Sequence, residues 1–127
     1  MRDFPSSGAS VPTIRDLVAA LRQRQGVEAA VVLGRDGLLI DSQTIPALDA
    51  DHVAAHVPSI LQFADEMGRA SARGGLQTAV LEYDGGVALI CGMSDDAVLL
   101  VLLQPSANVG QLLYELRRHR ASISALA

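Results

Sequence analysis

The chain has 127 residues, half of them apolar, a formal net charge of −4, two Tyr, two Phe and no Trp. That length and apolar content suffice for one domain with a real core, whereas an acidic chain so poor in aromatics lacks the basic stripe and stacking rings of a nucleic-acid surface. All ten basic residues are arginine, which excludes a P-loop lysine, Schiff-base chemistry and a lysine general base together.

Residues 1–11 are small and polar with Pro and Gly, and read as a flexible tail that orders only on docking. The domain is expected over 12–127. The N-terminus has no apolar signal region and no run approaches ~18 apolar residues, so a cytoplasmic protein without membrane insertion is expected. Thr13 is placed to cap a helix, with Asp16 at its positive end and Ile14, Leu17, Val18 and Leu21 at helical spacing; Gly26 is expected to stop it. Val27–Leu33 hardly alternates, which predicts a strand covered on both faces. Gly34-Arg35-Asp36-Gly37 then reads as a hairpin turn into Leu38–Ser42, a short strand whose polar end, Asp41-Ser42-Gln43, is a common way to blunt a sheet edge.

Asp49 or Asp51 is placed to cap a long helix reaching about Ala72, with Val53, Val57, Ile60, Leu61, Ala64 and Met67 as one apolar stripe. Pro58 inside it predicts a bend, or a break at Val57. Three strands follow, Leu76–Tyr83, Val87–Met93 and Ala97–Leu103, joined by the tight turn signals Asp84-Gly85-Gly86 and Ser94-Asp95-Asp96, which predicts an antiparallel meander. The last run does not alternate and is expected to be central. The first, with Gln77, Thr78, Glu82 and Tyr83, has the composition of an edge and carries no proline or lysine to defend it. Pro105-Ser106-Ala107-Asn108 opens a final helix with Val109, Leu112, Leu113, Leu116, Ile123 and Leu126, and with Arg117, Arg118, His119 and Arg120 as a solvated basic cluster.

This order, αββαβββα, resembles the roadblock / dynein light-chain family. The likeness rests on Val31-Val32-Leu33 running into Asp36-Gly37-Leu38-Leu39-Ile40, the helix from Asp51, the Gln77–Glu82 strand and Ala107-Asn108-Val109-Gly110-Gln111-Leu112-Leu113, and it covers about residues 12–120. It implies an α+β fold: a single five-stranded antiparallel sheet, the long helix on one face and the terminal helices on the other. It also implies a non-catalytic homodimer that scaffolds or regulates a Ras-like small GTPase, as the bacterial partners of gliding-motility-type GTPases do. The alternative class is a small-molecule sensor of PAS- or profilin-like build, which needs a cavity with convergent polar groups; the small aliphatic core residues speak against it.

The undefended strand, Gln77, Thr78, Ala79, Val80, Leu81 and Glu82, is the expected dimer edge, with Ile60 and Met67 meeting alongside it. Proline at Ala79 is expected to break such main-chain pairing. His52, His56 and Phe63, bordering the apolar stripe, are the expected partner-binding residues. His52 and His56 have the spacing of a shared metal and Asp49 is near, but Cys91 lies in a strand and His119 in a distant segment, so no metal or other cofactor is expected. No Ser-His-Asp signature or phosphate loop occurs, and Asp95-Asp96 lacks an apolar pocket, so no catalytic site is expected. Arg35, Arg69 and Arg73 are candidates for an arginine acting in trans on a GTPase, though each also suits a solvent-facing charge. Cys91, the lone cysteine, reads as an inert structural thiol.

Overall fold

The computed structural model describes residues 12–126, so the expected tail at 1–11 lies outside the described residues. The elements are α1 (Ile14–Arg22), β1 (Val27–Gly34), β2 (Leu39–Thr44), α2 (Ala50–Ala54), α3 (Val57–Ala70), β3 (Thr78–Tyr83), β4 (Gly86–Gly92), β5 (Ala97–Leu103), α4 (Val109–Arg118) and α5 (Arg120–Ser124). The five strands form one antiparallel sheet in the order β2-β1-β5-β4-β3. β1 and β5, the runs without alternation, lie side by side in its interior, and β2 and β3 are its edges.

Strand alternation sends each inner strand's side chains to two separate cores. Ala30, Val32, Leu89, Leu99 and Val101 pack with Leu17, Val18 and Leu21 of α1, Leu112 and Leu116 of α4 and Ile123 of α5. On the opposite face Val31, Leu33, Ile90, Val98 and Leu100 pack with Ala54 of α2 and Val57 and Leu61 of α3. The internal helices thus cover one face and the terminal helices the other, which is why β1 and β5 carry apolar residues on both sides.

The helix ends follow local chemistry. Thr13 accepts a hydrogen bond from the Asp16 backbone while the Asp16 carboxylate accepts one from the Thr13 backbone, a reciprocal cap. Of the two aspartates considered for the second helix, Asp49 is the cap, accepting from His52 N–H. Asn108 caps α4 through Gln111 N–H. α1 ends at Arg22, before Gly26, which instead sits at φ +87° in the turn to β1.

The helix expected to reach Ala72, with a bend at Pro58 or a break at Val57, is two helices, α2 and α3, broken just before Val57 at Ala55–His56 and ending at Ala70. Pro58 falls in the first turn of α3, where a missing N–H costs no helical bond. The break lies against the β1–β2 turn: a side chain added at Gly37, which sits at φ +91°, would meet Pro58 Cγ at 3.1 Å. The final helix is likewise divided, at His119, into α4 and α5. β3 begins at Thr78 rather than Leu76, and β2 runs Leu39–Thr44 rather than Leu38–Ser42.

Candidate protein interaction surface

β3 pairs with β4 without a register break, Thr78 opposite Cys91 through Tyr83 opposite Gly86. Just before it, Gly92 N–H donates to the Gln77 carbonyl at 3.2 Å. In an antiparallel ladder a residue's N–H and C=O point to the same side, and sides alternate along the strand. Gln77, Ala79, Leu81 and Tyr83 therefore turn their main-chain groups toward β4, and Thr78, Val80 and Glu82 turn theirs outward. This corrects the expectation for Ala79: its N–H faces β4, so proline there would unzip the chain's own sheet. The outward position at the middle of the strand is Val80.

The helix beside this edge is α3. The Asp65 carboxylate accepts from Leu76 N–H at 2.6 Å, tying the helix to the start of β3. Val57 and Leu61 are buried against the sheet, while Ile60 is half-buried and Phe63 and Met67 are 69% and 71% exposed. Positions 60, 63 and 67 are spaced at three and four, so they form one ridge. Phe63 thus lies beside Ile60 and Met67, on the exposed border of the stripe. Val80, 47% exposed, and Tyr83 add apolar surface on β3 itself.

His52 and His56 are both exposed, with rings edge-to-face at 5.2 Å. His56 Nδ1 donates to the His52 carbonyl at 2.9 Å, which leaves Nε2 as that ring's free nitrogen. Among the described residues no group of three His, Cys, Asp or Glu side chains is placed to hold a metal ion. Arg35 is tethered: its Nε and Nη2 donate to the Ser94 carbonyl at 3.1 and 3.0 Å, joining the β1–β2 and β4–β5 turns. Arg73 donates to the Ser71 carbonyl, and Arg69 is exposed on the last turn of α3. Cys91 is half-buried, and desolvation pushes its thiol above the ordinary value, with Thr78, Arg120 and Arg117 pulling partly back. A hollow of about 360 Å³ lies between the α1–β1 turn and the start of α4, bordering the core at Val27, Leu103 and Leu112, beside the Arg24–Glu115 ion pair.

The sequence model of the Roadblock/LC7 domain matches residues 13–103. The chain belongs to the Roadblock/LC7 domain family. The match runs from the Thr13 cap of α1 to the end of β5. An uncharacterised protein of Methanocaldococcus jannaschii is 26% identical over 106 residues, 84% of this chain and 92% of that one. The crystal structure of a Roadblock/LC7 domain from Streptomyces avermitilis superposes with a TM-score of 0.78 at 25% identity, over 90% of this chain and 97% of that chain. The gliding protein mglB of Thermus thermophilus shares the fold at TM-score 0.75 and 13% identity, over 87% of this chain and 84% of that one.

In this Roadblock/LC7 domain α3, which carries the apolar ridge, is tied to the start of the open edge strand by the Asp65–Leu76 bond. The sequence did not reveal that Arg120 lies beside that edge, where its guanidinium donates to the Gln77 side-chain oxygen, or that Arg117 lines a shallow hollow with Thr78 and Cys91. Residues 77 and 120 are 43 positions apart, so no local pattern could have paired them.

Proposed function

We propose that this Roadblock/LC7 domain is a cytoplasmic, non-catalytic homodimer that binds a Ras-like small GTPase and regulates it, as activator or adaptor. The observation that carries the reading is the unbulged β3 edge, together with an exposed apolar ridge on α3, because an edge strand with free main-chain groups invites strand addition. Gln77, Thr78, Ala79, Val80, Leu81 and Glu82 form the dimer strand, with Ile60 and Met67 meeting their copies alongside. His52, His56 and Phe63 continue that surface toward the GTPase. Phe63 shares the ridge with Ile60 and Met67, so the dimer seam and the partner surface are neighbours.

Light scattering at micromolar concentration tests the dimer: a mass twice 13.3 kDa is expected, and a monomer would overturn it. Calorimetry with a Ras-like small GTPase, loaded in turn with GDP and a GTP analogue, tests the partner. Different affinities for the two states support regulation of the switch; equal affinities leave only tethering, because symmetric binding shifts no equilibrium.

A further inference from the structure

The β3 edge carries opposite charges at its two ends. Thr78, Val80 and Glu82 share the face covered by the terminal helices: Thr78 stands opposite Cys91 and Glu82 opposite Val87, both of which pack on that core. At the Thr78 end the edge is flanked by Arg120, held by Gln77, and by Arg117, both exposed. At the other end is Glu82, exposed and forming no ion pair among the described residues. Within one copy, the strand's length separates these charges.

From this, and resting on the dimer proposed above, we infer that two copies pair about a two-fold axis through Val80, and that Arg117 and Arg120 of each copy hold Glu82 of the other. Strands related by such an axis are antiparallel, and directly opposed residues point to the same face. An axis at Val80 sets Val80 against its copy and Thr78 against the partner's Glu82, so every outward N–H and C=O of Thr78, Val80 and Glu82 finds a partner. An axis at Ala79 or Leu81 leaves Glu82 or Thr78, respectively, opposed to a residue beyond the strand. Opposed residues in a ladder lie about 5 Å apart, which brings the partner's Glu82 beside Thr78 and within reach of both arginines. The two-fold operation repeats the contact at the other end. The occupant of this edge is therefore a second copy of the chain, and an unrelated strand without an acidic residue at that register matches it less well.

The test is a charge exchange. Glu82→Arg alone faces two arginines of its copy, and Arg117→Glu with Arg120→Glu alone sets two glutamates against the Glu82 of its copy, so each variant is expected to self-associate about tenfold more weakly than the unaltered chain. Mixed in equal amounts they restore attraction at both ends and form a heterodimer in excess of the statistical half, read by native mass spectrometry of chains differing in tag length. High salt should erase the preference. Circular dichroism of each variant checks folding, which is expected to persist because all three side chains are exposed. If both variants self-associate like the unaltered chain, or the mixture shows no heterodimer excess, the proposed register is overturned while the dimer stands. If the unaltered chain is itself monomeric, the dimer reading fails instead.

Discussion

β2 and β3 close the two sides of one sheet, and they are finished in opposite ways. β2 carries a register break where it meets β1 between Val32 and Leu33. Ile45 N–H donates to the Glu28 carbonyl at 2.9 Å, so by alternation Ser42 turns its N–H outward, and the Asp41 carboxylate accepts that N–H at 2.8 Å. A bulge and a side chain laid over an outward donor are two established ways of closing an edge. β3 has neither: its register is continuous, and no side chain among the described residues bonds the outward N–H of Thr78, Val80 or Glu82. The protein thus protects one edge and leaves the other ready for a strand, which makes β3, and not exposure in general, the informative feature.

The strongest way to break this comparison is a proline on each edge. Val80→Pro removes the outward donor at the centre of β3 and should weaken dimerisation at least ~100-fold, about 2.7 kcal/mol, by sedimentation equilibrium. Ser42→Pro, whose lost N–H served only Asp41, should leave the association constant unchanged and cost about 1 kcal/mol of stability by urea unfolding. Equal effects of the two prolines on association would remove the distinction between the edges.

A second contrast lies within α3. Leu61→Ala, on the buried side, should destabilise the fold by roughly 2–5 kcal/mol. Phe63→Ala, on the ridge, should leave the melting temperature nearly unchanged while weakening binding of the proposed GTPase partner by more than ~1 kcal/mol, measured by calorimetry. Loss of stability in Phe63→Ala comparable to that in Leu61→Ala would show that the ring belongs to the monomer's core.

How much of this was legible depended on whether the cause was local. The Thr13–Asp16 cap, the central positions of Val27–Leu33 and Ala97–Leu103, and the polar closure at Asp41–Gln43 each follow from neighbouring residues, and each is present. The break at Ala55–His56 does not: its setting is the packing of the Gly37 turn on Pro58, across the fold, although proline alone pointed to the region. Periodicity placed Ile60 and Met67 in one apolar stripe with Leu61, but residues three and four apart cannot say which flank of a wide stripe the sheet covers. Which main-chain groups of β3 face outward was likewise invisible, since it depends on one hydrogen bond between Gly92 and Gln77.

A smaller effect sharpens the closed edge. Asp41→Ala frees the Ser42 N–H, and should cost about 1 kcal/mol or less and raise the rate of aggregation on heating, followed by light scattering. The smallest expected effect concerns Cys91, behind the open edge. Its thiol is raised by desolvation, so the unfolded chain loses that proton first as pH rises. Its contribution is therefore neutral below the unfolded value, about 8.5, and unfavourable above it. Stability should fall slightly above that pH in the unaltered chain and not in Cys91→Ser, and native labelling by a thiol reagent should be slower than in urea.

Residue-resolved amide hydrogen exchange reads the central claim directly. In a monomer the N–H groups of Ala79 and Leu81 exchange slowly because they face β4, while those of Val80 and Glu82 exchange as open edge groups. In the proposed dimer Val80 and Glu82 become protected as well, in proportion to protein concentration, while the β2 edge, including Ser42, is indifferent to concentration. Fast, concentration-independent exchange at Val80 and Glu82 beside slow exchange at Ala79 and Leu81 would show that no strand adds to this edge, and would contradict the account.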